Sequence, residues 1–139
     1  MNLSTAQLDR FSRNILLDGI GIEGQKKLMR SKVLIAGAGG LGSPAALYCA
    51  AAGIGTLGIA DSDCVELSNL QRQIIHTTTT IGQAKVASAA ERIQALNPDV
   101  AVVKHLMRLD AATIKQCIGG YDFVIDATDN FQSKFVIND

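Results

Sequence analysis

Val33-Leu34-Ile35-Ala36-Gly37-Ala38-Gly39-Gly40-Leu41-Gly42 decides how this chain is read. Its four leading apolar residues predict a strand buried on both faces. Gly37, Gly39 and Gly42 follow with the spacing G-x-G-x-x-G, and Gly40 is a fourth glycine. In a strand–turn–helix unit the first glycine permits a tight turn. The second lets backbone approach a phosphate, and the third lets the helix pack close to the strand. The N–H groups of such a loop and the helix N-terminus behind it make an anion site. A glycine-rich turn alone also serves plain packing. Here, however, a second apolar run, Thr56-Leu57-Gly58-Ile59-Ala60, ends in Asp61, 19 residues after Gly42. In a dinucleotide fold a ribose-binding acid stands about 20 residues beyond the loop.

Composition narrows the classes. With 139 residues the chain is long enough for one domain with a real core. Thirteen basic and 13 acidic residues cancel, and no basic tail or stripe points to nucleic acid. The stretch from Ala45 to Ala52 is too short and too alanine-rich to span a bilayer, so no membrane association is expected. Met1 to Arg10 lacks the apolar core of a signal peptide. Cys49, Cys64 and Cys117 are odd in number and form no C-x-x-C pair. Neither a disulfide framework nor a zinc site can be read from them, and a cytoplasmic location is expected.

Working outward from the glycine loop, two regions are predicted. Residues 1–31 form an N-terminal helical segment, and residues 32–139 form a Rossmann-like α/β domain with a parallel sheet. Ser4 caps a helix from about Thr5 to Leu17, with Leu8, Phe11 and Ile15 on its apolar side. Arg10 and Arg13 share a face of that helix and on local grounds are simply solvated. Asp18-Gly19-Ile20-Gly21 breaks it. A second helix from about Glu23 to Arg30 carries Gln25, Lys26 and Lys27 on its polar face.

After the loop, Pro44 suits a first helical turn, and the helix to about Ala52 is apolar on nearly every side, hence buried. The second strand, 56–60, then lies parallel to the first through a right-handed crossover. Residues 61–80 form a long connection, the kind that is functional or mobile in a compact domain. Asp61, Asp63 and Glu66 resemble a calcium loop, but the required glycine and distal glutamate are missing. Gly82 to Leu96 is an amphipathic helix stopped by Asn97-Pro98. Lys85 sits in its first turn, where the helix dipole disfavours a cation by about 0.3–1 kcal/mol; a bound phosphate offsets that. Val100–Leu106 is a third strand, Asp110 to Gly119 a short helix, and Tyr121–Ile125 a fourth strand. Asp126-Ala127-Thr128-Asp129-Asn130 lies at its carboxyl end, and a last helix begins near Phe131. Asp129 or Asn130 is either a cap for that helix or a ligand.

The constellation favours the ligand reading. In open α/β sheets ligands bind beyond the carboxyl ends of the strands, where the strand order reverses. With order 3-2-1-4, the glycine loop, Asp61 and Asp129 converge on one crevice, and Arg72 and Lys85 can reach it. A nicotinamide dinucleotide needs a glycine loop and a ribose acid. A triphosphate also calls for two cations and a magnesium-binding aspartate.

At that point the residues acquire a likeness. Arg10-Phe11-Ser12-Arg13, the glycine loop, Ser68-Asn69-Leu70-Gln71-Arg72-Gln73, Gly82-Gln83-Ala84-Lys85 and Ala127-Thr128-Asp129-Asn130 resemble, in order, the ThiF/MoeB/HesA family. These are bacterial relatives of ubiquitin-activating enzymes. The likeness covers nearly the whole chain from Leu8, and Leu16-Leu17-Asp18 with Ala60-Asp61-Ser62-Asp63 tilts it towards the thiamine-pathway type. It implies ATP-dependent adenylation of the C-terminal glycine of a small ubiquitin-like sulfur carrier. By the same likeness Gly37, Gly39, Gly40, Gly42, Asp61 and Asp63 belong to the nucleotide site, Asp61 on the ribose. Asn69, Arg72 and Lys85 hold the phosphates, Asp129 binds magnesium and Asn130 flanks it. Arg13 reaches the ATP of a partner subunit, so a homodimer is expected.

The departures from that pattern are also specific. Full-length relatives continue with further strands, a carrier-binding surface, a loop cysteine and a C-x-x-C zinc pair. The chain is therefore expected to be an amino-terminal piece, with zinc only in the missing half. Cys49, Cys64 and Cys117 do not match the family's functional cysteines and read as packing residues, and His76 reads as an ordinary polar loop residue. The alternatives are a nicotinamide-dependent oxidoreductase domain and a module that binds ATP without chemistry.

Overall fold

A computed structural model describes residues 2–128. The elements in chain order are α1 (Thr5–Arg10), α2 (Ser12–Ile15), α3 (Gly21–Arg30), β1 (Lys32–Ala36), α4 (Gly42–Ala52), β2 (Thr56–Asp61), α5 (Lys85–Leu96), β3 (Ala101–Leu106), α6 (Ile114–Ile118) and β4 (Phe123–Asp126). Short 3-10 turns at Leu67–Asn69 and Thr78–Thr80 interrupt the connection after β2. The helix expected from Phe131 lies outside the described residues, as do Asp129 and Asn130.

The four strands form one parallel sheet in the order β3-β2-β1-β4. This is the order expected from the sequence. The central strand is β1, and its residues alternate between two cores with the period of two that a pleated strand imposes. Val33 and Ile35, with Leu57 and Ile59 of β2, face Ala46 and Ala50 of α4 and Val86, Ala89 and Ile93 of α5. Alanines at the helix contacts let both helices lie close to the sheet. Leu34, Ala36 and Ala60 face the other way, onto Leu109 and Cys117. Burial on both faces explains why β1 and β2 read as continuous apolar runs. Among the described residues β4 is one edge of the sheet, with Phe123 exposed there.

α5 begins at Lys85 rather than Gly82 and α6 at Ile114 rather than Asp110, and three further differences from the sequence reading bear on the packing. The first helix is two pieces that meet at Phe11. Its backbone opens there to φ −102° and ψ 14° because the ring is drawn into the core beside Gly53. Ser4 still caps α1 in a capping box with Gln7. The second correction is Gln25, expected on a polar face but fully buried. Its Nε2 donates to the Ala52 carbonyl at 3.0 Å, and its Oε1 accepts from Asn14 Nδ2 at 3.1 Å. An orphan carbonyl at the end of α4 is thereby satisfied, and the N-terminal helices are bonded to the sheet domain. Third, β4 starts at Phe123 rather than at Tyr121. The Tyr121 hydroxyl instead lies 2.7 Å from His105 Nε2. No helix among the described residues is long and apolar enough to cross a membrane.

Candidate functional site

The chain leaves β1 to one side through α4 and β2, and returns on the other side as β4. That reversal opens a crevice at the carboxyl ends of the strands. A cleft of about 710 Å³ lies there. Its wall includes Gly37, Gly39, Gly40, Asp61, Asp63, Arg72 and Lys85, all expected from the sequence to share one site.

The glycines do different jobs. Gly37 has φ +104°, and a side chain there would meet the Ala127 carbonyl oxygen at 2.7 Å. Gly42 does not line the cleft; it is buried, and any side chain would collide with the Gly37 carbonyl oxygen. These two fold the loop. Gly39 and Gly40 border open space, and a Cβ on Gly40 would come no nearer than 3.9 Å to the Arg72 stem. Among the described residues the N–H groups of Gly39, Gly40 and Leu41 find no acceptor, so they remain for a ligand.

Asp61 is built into the same turn. Its Oδ2 accepts from the Ala38 N–H at 2.9 Å and its Oδ1 from the Asp63 N–H at 2.8 Å. The carboxylate thus spans the ends of β1 and β2 while facing the cleft. The connection after β2 doubles back at once. The Lys85 N–H donates to the Asp63 carbonyl at 2.9 Å, and the Val65 N–H to the Gln83 carbonyl at 2.8 Å. This pairing fixes the start of α5 beside Asp61.

Lys85 is the first residue of α5 and only 7% exposed. Its ammonium has no hydrogen bond or ion pair among the described residues, where the one salt bridge joins Lys26 to Glu23. A buried cation without a counter-charge, at the positive end of a helix, is costly unless an anion joins it. Arg72 is exposed, with Nη1 3.2 Å from the Ser68 carbonyl. Asn69 stands outside the cleft wall; its Oδ1 accepts from the Glu66 N–H at 2.9 Å. Its own carbonyl accepts from the Arg72 and Gln73 N–H groups, so Asn69 shapes the turn that presents those two side chains. Arg13 is exposed on α2 and is not in the cleft wall.

Gln73, Met107 and Arg108 are among the wall residues to which the sequence reading assigned no role. Gln73 is 5% exposed, and its Oε1 is buried without a partner among the described residues. Met107 and Arg108 follow β3, and the rule that placed the other groups at strand ends applies to them as well. The thiols take no part. Burial pushes those of Cys49 and Cys117 up, away from reactive thiolate, and Cys64 is exposed outside the cleft wall. No cluster of three or more metal-ligating side chains occurs among the described residues.

Residues 11–139 match the model of the ThiF family. The chain belongs to the ThiF family. It is 46% identical over 139 residues to the SAMP-activating enzyme E1 of Haloferax volcanii, spanning all of this chain and 52% of that protein. It is 44% identical over 137 residues to a probable adenylyltransferase/sulfurtransferase MoeZ of Mycobacterium tuberculosis, spanning 99% of this chain and 35% of that protein. Among solved structures it resembles Escherichia coli tRNA N6-threonylcarbamoyladenosine dehydratase, TcdA, in complex with ATP. There the TM-score is 0.92 and the identity 31%, over 99% of this chain and 56% of that one. The chain thus spans about half, or less, of the length of these ThiF-family relatives.

Proposed function

We propose that this chain is the nucleotide-binding part of an enzyme that uses ATP to adenylate the C-terminal glycine carboxylate of a small ubiquitin-like sulfur-carrier protein. The observation that carries this reading is Lys85: a buried ammonium, without a hydrogen-bond or ion-pair partner among the described residues, in one cleft wall with the glycine loop and Arg72. Lys85, Arg72 and Arg108 share the wall with Asp61 and Asp63, and three cations beside the loop N–H groups suit the several charges of a triphosphate better than the two of a dinucleotide. The names of the Haloferax and Mycobacterium relatives support the reading, as does the ATP complex of the TcdA neighbour.

In this account a carboxylate oxygen of the carrier attacks the α-phosphorus. A carboxyl–phosphate bond forms, the bond to the β-phosphate breaks, and pyrophosphate leaves with the electron pair. No side chain is needed as nucleophile. The loop N–H groups hold phosphate oxygens, Asp61 orients the ribose, and Lys85 and Arg72 stabilise the charge that grows on the leaving group. Arg13 adds a cation from a partner subunit, each chain of a two-fold dimer giving one and receiving one. By the family resemblance Asp129 would bind magnesium, with Asn130 flanking it, and the ion would supply further positive charge at the phosphates; both residues lie outside the described ones, among which no cluster of three or more metal-ligating side chains occurs. The steps above are therefore those of the protein's own groups.

Calorimetry on the full-length protein tests the reading. Magnesium–ATP is expected to bind and NAD to give no heat. NAD binding without ATP binding contradicts the proposal.

A further inference from the structure

His76 is one of the buried polar residues, 5% exposed, and the sequence reading left it as an ordinary loop residue. Its Nε2 lies 2.8 Å from the Ala38 carbonyl oxygen and its Nδ1 2.8 Å from Ser88 Oγ. A carbonyl oxygen only accepts, so Nε2 carries the proton and donates to Ala38. Ser88 Oγ donates its one proton to Thr80 Oγ1 at 2.8 Å, so its oxygen is what it presents to Nδ1 as the second anchor of the ring. The His76 N–H in turn donates to the Gln73 carbonyl at 3.1 Å.

Each of these bonds ends in or next to a different part of the cleft wall. Ala38 stands between Gly37 and Gly39 in the loop. Gln73 follows Arg72. Ser88 lies three residues after Lys85 on α5, and positions three apart share a helix face. We propose that His76 is a positioning residue for the nucleotide reaction, holding the glycine loop, the Arg72–Gln73 turn and the start of α5 in one fixed arrangement. This rests on the adenylation reading above.

The chemistry is specific to a two-nitrogen ring. An apolar side chain of the same size would fill the space but strand the Ala38 carbonyl. That carbonyl lies four residues before Gly42, the first residue of α4. No backbone N–H bonds it, so the imidazole is its partner among the described residues. Two charged groups act on the ring, Lys85 from α5 and Asp61 from the end of β2, with opposite effects on its protonation. Burial above all, with Lys85, lowers the pKa of the ring against the Ala38 bond and Asp61, and Nε2–H donates to Ala38 throughout.

The test separates the two ends of the ring. His76→Gln places an amide donor near the position of Nε2 and can keep the Ala38 bond. His76→Asn reaches only the position of Nδ1 and leaves the Ala38 carbonyl bare. ATP–pyrophosphate exchange on the full-length protein with its carrier gives KM for ATP and kcat, and thermal midpoints are read alongside. His76→Asn is expected to raise KM by about tenfold while kcat stays within about threefold, and His76→Gln to keep KM within about threefold of wild type. Equal KM values in the two variants, or a loss confined to kcat, overturn the proposal. If His76→Asn does not fold, Ser88→Ala decides. It keeps the imidazole but removes one anchor, so KM is expected to rise by about threefold, and an unchanged KM overturns the inference. A wild-type protein that binds no ATP overturns the functional reading itself, and this inference with it.

Discussion

Lys85 and Arg72 reach the cleft with different surroundings, one buried and one exposed, so their removal should not have the same structural consequences. Lys85→Ala removes a buried charge that has no partner among the described residues and should leave the thermal midpoint unchanged or raise it. Both Lys85→Ala and Arg72→Ala should lower carrier-dependent pyrophosphate exchange by about 10²–10³-fold, the usual worth of one group aimed at developing charge. Wild-type exchange in both variants would make them surface residues. The histidines supply a pH dependence. Burial lowers the pKa of both His76 and His105 below the ordinary 6.5. Below pH 6.5 the unfolded chain therefore takes up protons that the folded chain refuses. Stability is full above that value and is lost as pH falls towards the lowered folded-state values. The urea midpoint should drop between pH 7.5 and 5.5, and His76→Gln should flatten the drop. At this scale the glycine spacing, Asp61, Arg72 and Lys85 were legible because each has a motif or a strand end to place it. His76 and Gln25 were not. Their bonds run to carbonyls 38 and 27 residues away in sequence, and nothing local distinguishes a buried histidine or glutamine from a solvated one.

The elements follow from patterns that the sequence displays openly. Apolar runs bounded by glycine mark β1 and β2, and the period of Val86, Ala89, Ala90 and Ile93 marks α5. Their order in the sheet is the one with which the expected ligand groups converge at the strand ends. Boundaries were less legible. The break at Phe11 depends on the core position beside Gly53, a tertiary contact that helical periodicity does not encode. The loop between β1 and α4 yields the sharpest test at this scale. Gly42→Ala sets a methyl group against the Gly37 backbone oxygen, where neither side is a flexible side chain. It should destabilise the protein by about 2–4 kcal/mol or displace the loop, read as a lower urea midpoint together with lost ATP binding. Gly40→Ala meets only the Arg72 stem at 3.9 Å, so it should leave the midpoint unchanged and weaken ATP binding alone. Equal midpoints for the two variants would refute this division of labour.

At the scale of the whole molecule the open question is how many chains complete one site. Arg13 lies on α2, exposed and outside the cleft wall of its own chain, as a residue acting on a partner's nucleotide should. In the two-fold arrangement proposed here, Arg13→Ala and Arg72→Ala chains are each inactive, but a mixed dimer keeps one intact composite site. Mixing the two should restore exchange towards half of the heterodimer's sites. No recovery despite demonstrated subunit exchange would confine Arg13 to its own chain. The central claim, that this cleft activates a carboxylate with ATP, is tested most directly by isotope exchange. Labelled pyrophosphate is incubated with unlabelled ATP, magnesium and the full-length protein, with and without its ubiquitin-like carrier. Label should enter ATP only when the carrier with its C-terminal glycine is present, and Lys85→Ala should abolish most of that exchange. Absence of exchange with a carrier that demonstrably binds would contradict the account.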